Sequence, residues 1–537
     1  MIESSSRSPT TAQDSVPQPT TNPGPLPSKY GAIAGLVSGA VAVTVGMLVA
    51  GIIDVLSPID AVGREFIDRV PPWLKQLAID WFGTNDKLAL RIGIVAILGI
   101  AALVVGVLAA RRAIAAVIGI GLFGLVGALA AWHRPDESAS AALPSLIGAA
   151  VGIALLVRLV QRPKTGQIEM PGRSRVPVGW DRRRFLVSSG SAAAAAVVAG
   201  VIAGSIEKKR VQSIREAIPN TLPELAPTGG FSPALVVPAE ATLSPVTPFI
   251  TPADEFYRID TALSFPRISL SKWRVDIGGM VDTPLSFTYA DLLALPQVER
   301  IVTLACVSNE VGGDLIGNAS FQGVMLAGLL KQAGVQAGAQ QVYSTSLDGW
   351  TCGFPVEVAL DGRDAMIAVG MNGEPLPLEH GFPARLVVPG LYGYVSATKW
   401  LSKIDLTTWD AEAGYWVPRG WARDAPIKTQ SRIDVPRDGE KVAAGPAKIA
   451  GIAWAQHRGV ERVEVRIDEG TWQEARLGTD VTDDAWRQWV LDWDAVPGKY
   501  TIQVRATDKE GYTQTAERAR PDPDGATGYH TRTVEVD

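Results

Sequence analysis

Five long apolar runs crowd the first 206 residues of this chain: Tyr30–Ile53, Ile92–Ala110, Ala113–Trp132, Ala139–Val157 and Phe185–Ile206. None contains a charged residue, and each has about the length needed to cross the hydrocarbon core of a bilayer. In lipid a backbone must satisfy its own N–H and C=O groups, so such runs span as α-helices. Residues 30–206 therefore read as a multi-span α-helical membrane region with about five transmembrane helices. Gly35 with Gly39, and Gly148 with Gly152, have the small-residue spacing that favours close helix packing. The region shows little chemistry. Its one histidine, His133, ends a run, and a haem-binding bundle would need opposed histidine pairs. Asp54 stands at a run's edge, and no run has an ionisable residue at its centre. This is the pattern of an anchor, or of a docking platform for a separate redox partner.

Lysine and arginine placement orients the runs. With a cytoplasmic N-terminus, the inner loops hold Arg111, Arg112, Arg158, Arg162, Lys164, Arg173, Arg175, Arg182, Arg183 and Arg184. The outer loops hold Arg64, Arg69, Lys75, Lys87 and Arg134, diluted by acidic residues. The positive-inside rule favours this arrangement, and five crossings then place everything after about residue 207 outside the cell membrane. Lys208, Lys209 and Arg210 run against the rule. Asp181–Leu186, DRRRFL, followed by an Ala/Gly-rich run, resembles a twin-arginine export signal; an ordinary positive-inside anchor gives the same placement. Residues 1–29, rich in Ser, Thr, Pro and Gln, read as a disordered tail, and the Pro-rich residues 207–240 as a linker.

The rest divides near residue 430. Residues 241–430 mix short strands, Gly/Pro turns and a few helices, such as Tyr289–Leu295 and Val324–Ala333, an α+β pattern. No dinucleotide fingerprint or phosphate loop is present. In residues 431–537 apolar residues alternate with charged ones, as at Val463, Val465 and Ile467, which suggests an antiparallel sandwich. Trp454, Trp472, Trp486, Trp489 and Trp493 then belong to its core or to an interface.

One of only two cysteines lies in the most distinctive stretch, TLACVSNEVGGDLIGN, Thr303 to Asn318. The apolar residues Ile301 to Ala305 read as a short buried strand that delivers Cys306 to a Gly-rich turn. Glycines admit close backbone approach, and a thiolate there suits a soft metal or a nucleophile. A small buried residue at a strand end is the plainer alternative.

Further segments accompany it: FYRIDT at Phe256–Thr261, DGWTCGFPVE at Asp348–Glu357, and HGFPARLVVPGLYGYVSATKWL at His380–Leu401. In order and spacing these four blocks resemble the sulfite-oxidase family of molybdopterin enzymes, over roughly residues 240 to 537. The resemblance implies a molybdenum–molybdopterin cofactor, with Cys306 as the catalytic metal ligand. It implies cofactor contacts from Tyr257, Arg258 and Asp260, from His380, Arg385 and Lys399, and from the pocket candidates Asn309, Asp314, Ser346 and Asp348. Arg385 would fork the cofactor phosphate bidentately and Lys399 would act as a point charge. Asp260 and Thr261 depart from the Asn and His that the family often has there. The resemblance also implies that residues 431–537 form an immunoglobulin-like domain of the kind that makes a homodimer. Cys352 is expected as a packed strand residue, with a Cys306–Cys352 disulfide as the oxidising-compartment alternative.

The expected protein is a membrane-anchored molybdenum-dependent oxidoreductase. It would transfer an oxo group on a small-molecule substrate outside the membrane and exchange electrons with a separate partner. Sulfite is disfavoured, because the stretch after Cys306 carries Glu310 where the family's sulfite enzymes have arginine. The alternatives are a thiol hydrolase using Cys306 and His380, and a non-catalytic surface binding protein. A net charge of −5 with dispersed basic residues gives no nucleic-acid patch. A reporter fused after residue 165 should read cytoplasmic and one fused after residue 537 external; an external signal at 165 would overturn the five-span reading.

Overall fold

A computed structural model describes residues 26–71, 74, 77, 81–82, 86–134, 137–161, 182–225 and 246–537. Most of the expected tail, the segment 162–181 with Asp181, residues 226–240 of the expected linker and the first five residues after it lie outside the described residues.

The N-terminal helices are α1 (Ser28–Ile53), α2 (Pro58–Arg69), α3 (Asp86–Arg111), α4 (Ile114–Trp132), α5 (Leu143–Val160) and α6 (Arg182–Glu216). Among the described residues, all of these except the short amphipathic α2 belong to segments long and apolar enough to cross a membrane. Glycine brings their backbones together. A Cβ at Gly35 would lie 2.0 Å from Ala102 O on α3, and one at Gly148 would lie 2.3 Å from Ala42 O on α1. Any side chain at either position would force the helices apart.

One expected boundary moves. The chain does not enter a Pro-rich linker at residue 207, because α6 continues to Glu216. Glu207 pairs with Arg210 at 2.5 Å and Gln212 bonds Glu216 at 3.0 Å. Such i,i+3 and i,i+4 polar pairs carry a helix beyond its apolar run. The first proline after it is Pro219.

The chain forms two compact units. One comprises the residues up to Ile59 with Arg91–Leu129 and Ala141–Ala203. The other comprises Asp60–Leu90, Ala130–Ser140 and Gly204–Asp537. Two connecting segments of the apolar-helix region therefore belong to the same unit as the C-terminal part.

The C-terminal part begins with two sheets. In the first, β1 (Arg274–Gly279), β2 (Leu285–Thr288), β5 (Gln341–Ser346), β6 (Thr351–Pro355) and β10 (Leu401–Thr407) run in the order β2-β1-β10-β5-β6. Only β1 and β10 in it are parallel. The second contains β3 (Val298–Ala305), β4 (Ile316–Met325), β7 (Met366–Met371) and β8 (Glu374–Pro375) in that order, with β9 (Arg385–Val387) also on β7. The expected helix at Val324–Ala333 is Leu326–Ala333, since Val324 and Met325 finish β4. Residues 430–536 form a four-stranded and a five-stranded sheet. Ile433, Ile449 and Trp489 of one share a core with Val463, Val465, Ile502 and Val504 of the other.

Strand β3 is tied to this sandwich through Thr303. Its N–H donates to Asp484 O at 2.9 Å, its carbonyl accepts from Gln456 Nε2 at 3.0 Å, and its hydroxyl accepts from Trp486 N at 2.7 Å. The hydroxyl also donates to Asn318 Oδ1 on β4 at 2.8 Å. Thr303→Val keeps the shape and strands two buried polar groups, so it should destabilise by about 2–4 kcal/mol. Thermal unfolding of the full chain in detergent checks this; an unchanged midpoint would contradict it.

Candidate active site

Ala305 pairs with Ile316, and Cys306 N donates to Leu315 O at 2.9 Å, so the loop carrying Cys306 is closed at its base. Asn309 shapes it: its Oδ1 accepts from Leu315 N at 2.9 Å and its N–H donates to Cys306 O at 3.1 Å. A pocket candidate by residue type, Asn309 thus spends its amide oxygen on the loop. At Gly312 φ is +80°, and a Cβ would lie 2.2 Å from the His530 ring. Arg432 Nη1 donates to Gly313 O at 2.8 Å. The sandwich therefore holds the far side of the loop as well.

Cys306 is a free thiol, 9% exposed. Burial pushes it above its ordinary pKa, and hydrogen bonding with Ser308 partly opposes this. The protein alone keeps the thiol neutral, so a bound soft cation would be needed to hold the thiolate. Tyr257 lies within electrostatic reach of both Cys306 and Arg385: burial pushes its phenol up, Cys306 adds to this and Arg385 opposes it.

Arg385 is buried, and its guanidinium donates to carbonyls, Leu386 O at 3.4 Å and His380 O at 3.3 Å. Burial pulls its pKa down to about 10. Among the described residues no carboxylate forms an ion pair with it, and a buried cation so placed favours an anionic ligand. The ring of His380 meets Phe256 edge to face, and its Nε2 lies 2.6 Å from Ala253 O. Burial lowers its pKa to about 4, which keeps it neutral and makes Nε2 the donor.

Lys399 Nζ lies 2.7 Å from Asp260 Oδ2 and 3.2 Å from Glu379 O, and burial pulls its pKa down to about 8 against the pull of Asp260. Asp260 also accepts from Arg258 Nε at 2.9 Å and from Lys87 Nζ at 2.5 Å. Burial would raise its carboxyl, but Lys399, Lys87 and Arg258 together hold it far below the usual carboxylate range.

The structure brings Cys306, Tyr257 and Arg385 into one neighbourhood, and links Arg385 through His380 and Lys399 to Asp260 and Arg258. Asp348 instead lines a cavity of about 240 Å³ with Thr261, Trp350, Tyr415, Arg419 and Arg64. Ser346 supports the turn beneath it, its hydroxyl accepting from Asp348 N at 3.4 Å. Asp314 is exposed on the Cys306 loop.

Two alternatives fail on geometry. Cys306 and Cys352 are both free thiols; Cys352 is buried against the hydroxyls of Ser344 at 3.3 Å and Thr398 at 3.1 Å. His380 directs Nε2 at a carbonyl, and no hydrogen bond joins it to Cys306 among the described residues, so the pair needed for a thiol hydrolase is not formed. Sequence reasoning missed Lys87 and also Tyr392, whose pKa is raised by burial and, more weakly, by the nearby Cys306. Tyr392 sits inside the quoted His380–Leu401 block; Lys87 had no signal beyond its place among the outer-loop cations.

The described residues contain no cluster of three or more His, Cys, Asp or Glu side chains able to hold a metal. A metal at Cys306 would therefore take its remaining ligands from a non-protein group. A pterin dithiolene with a phosphate tail fits this lone thiol beside buried cations.

Comparisons with known proteins agree. Residues 262–416 match the oxidoreductase molybdopterin binding domain, and residues 423–521 match the Mo-co oxidoreductase dimerisation domain. The chain is 30% identical over 322 residues to human mitochondrial sulfite oxidase, covering 51% of this chain and 58% of that one. It is 35% identical over 152 residues to the uncharacterized oxidoreductase YuiH of Bacillus subtilis, covering 28% of this chain and 73% of the relative. Among solved structures, the sulfane dehydrogenase SoxCD of Paracoccus pantotrophus matches at 27% identity with a TM-score of 0.46, covering 55% of this chain and 85% of that one. The domain match is that of a molybdopterin oxidoreductase. The chain belongs to the sulfite-oxidase family, and it spans a little over half the length of the mammalian sulfite oxidases that it matches.

Arg385→Ala should lower bound molybdopterin more than Lys399→Ala does. It removes a buried cation with no ion-pair carboxylate, whereas Asp260 keeps Lys87 and Arg258 when Lys399 is lost. The difference should be ~2 kcal/mol, the scale of a charge-assisted hydrogen bond. Metal and pterin analysis of both purified variants measures it; equal occupancy would refute the ranking.

Proposed function

We propose that this chain is a membrane-anchored molybdopterin oxidoreductase that transfers an oxo group to or from a small substrate outside the cytoplasmic membrane. The observation that carries the reading is the free, buried Cys306 thiol beside Tyr257 and the buried Arg385. When bound, the cofactor supplies a molybdenum that changes oxidation state and carries the oxo group. Cys306 is its protein ligand. Arg385 and Lys399 hold the phosphate, and His380, a neutral donor locked on Ala253 O, fixes the wall between them. Tyr257 keeps its proton and orients polar groups beside the metal position. Burial of these residues excludes bulk water from the reacting centre.

The substrate is a small molecule, and the segment after Cys306 disfavours sulfite. Val307, Ser308, Asn309 and Glu310 follow Cys306 and place no cation there, and a confined dianion needs net positive charge. Electrons pass to or from a separate partner, since the apolar helices hold no histidine pairs. The sandwich of residues 430–536 is immunoglobulin-like and forms a homodimer, a reading supported by the dimerisation-domain match at 423–521.

The placement outside the membrane rests on three supports. Five helices among the described residues are long and apolar enough to cross, an odd number. Arg111, Arg112, Arg158 and Arg182–Arg184 mark the opposite side. The connecting segments 60–90 and 130–140 belong to the same compact unit as residues 204–537, as alternating crossings require.

Purified full-length protein should contain stoichiometric molybdenum. Cys306→Ser should abolish turnover with a dye acceptor while leaving the fold and much of the pterin in place, and Cys352→Ser should keep activity. Protein free of molybdenum after expression in a cofactor-producing host, or turnover surviving in Cys306→Ser, would overturn the assignment.

A further inference from the structure

Asp260 is one carboxylate facing three cations. Lys87 Nζ lies 2.5 Å from Oδ1, while Lys399 Nζ at 2.7 Å and Arg258 Nε at 2.9 Å share Oδ2. The Asp260 side chain is 5% exposed. Within this cluster Asp260 and Lys399 are buried, whereas the Lys87 and Arg258 side chains are 31% and 37% exposed, so Lys399 is the cation placed to meet a buried anionic ligand. Lys399 is the member that reaches inward: it also donates to Glu379 O at 3.2 Å, within one residue of His380. Burial pulls its pKa down to about 8, so a nearby anion strengthens its hold on its proton.

Lys87 comes from the first turn of α3, 173 residues before Asp260. Other residues of the two connecting segments grip the same stretch of the C-terminal part. Arg64 Nη2 donates to Ser264 O at 3.3 Å, and Arg267 Nη1 donates to Glu137 Oε1 at 2.5 Å. The contact at Lys87 is thus one point of a broader seam within a single compact unit. A carboxylate that loses its partner on Oδ1 turns its charge onto the partners on Oδ2, and Lys399 is the more buried of those two.

We propose that Lys87 is a positioning residue for the cofactor: by neutralising Asp260 it leaves Lys399 available to the cofactor's phosphate, so a connecting segment of the apolar-helix region forms part of the cofactor site. This rests on the molybdopterin reading above. It adds a role for residues outside the stretch that matches the molybdopterin binding domain.

The test uses the full chain in detergent and compares wild type with Lys87→Gln, Lys87→Arg, Asp260→Asn and the double variant Lys87→Gln/Asp260→Asn. Arg267→Gln is the control that loosens the seam away from Asp260. The readouts are molybdenum and pterin retained after long dialysis, with thermal unfolding run alongside. Lys87→Gln should retain on the order of tenfold less cofactor, the scale of one charge-assisted hydrogen bond. Lys87→Arg and Arg267→Gln should behave as wild type. The double variant should recover retention, because without the carboxylate there is nothing to neutralise. Full retention by Lys87→Gln would overturn the proposal. So would a double variant as poor as the single one, which would make Lys87 a strut. If Lys87→Gln does not fold, Asp260→Asn alone decides: retention at or above wild type supports the proposal, and a loss refutes it. Wild-type protein without molybdenum would instead sink the function itself.

Discussion

Thr303 is fully buried, and each of its polar groups is engaged by another part of the chain. Its amide, carbonyl and hydroxyl reach Asp484, Gln456 and Trp486 of the sandwich, and the hydroxyl also reaches Asn318 of the neighbouring strand. This anchorage sets where β3 ends, and β3 ends at the thiol. Trp454 and Trp486 lie in the same hydrophobic cluster as Ile301, Leu304 and Ala305. The sandwich is therefore a structural layer of the site as well as a domain of its own. Aromatic residues that a pattern reading assigns to a core or an interface pack here beneath the strand that leads to the Cys306 loop.

Burial dominates the site's electrostatics. It pushes Cys306 and Tyr257 toward their protonated forms, keeps His380 neutral and opposes the charges of Arg385 and Lys399. A site arranged this way is unfavourable to its own cations and neutral at its thiol. Both conditions ease when an anion and a soft metal arrive together, so binding energy and the ionisation of the ligand are coupled.

Much of this was legible in the sequence where the signal is local. Run length and lack of charge marked the apolar helices. Ile301 to Ala305 announced a buried strand, and Cys306 with its glycines announced a tight loop after it. What escaped was set by remote partners. The C-terminal end of α6 falls in the stretch expected as a linker from its prolines, although Glu207 and Arg210 are spaced to support a helix. Lys87 looked like one more loop cation, since nothing in one dimension ties it to Asp260. Asn309 and Asp348 were both pocket candidates by type. The structure sends the first into its own loop and the second toward a cavity beside Trp350, a distinction that backbone geometry makes and composition cannot.

His530 sits against Gly312, where even a methyl group would strike its ring, and Ile433 N donates to its Nδ1 at 2.8 Å. It belongs to the strand His530–Val536, which pairs along the strand Gly498–Asp508. During synthesis Cys306 leaves the ribosome long before this strand does. The thiol loop must wait, without its backing, while the intervening chain emerges. Until the strand His530–Val536 docks, the loop lacks the His530 ring that backs Gly312. The full shape of the loop therefore needs the last strand of the chain as well as its own base contacts.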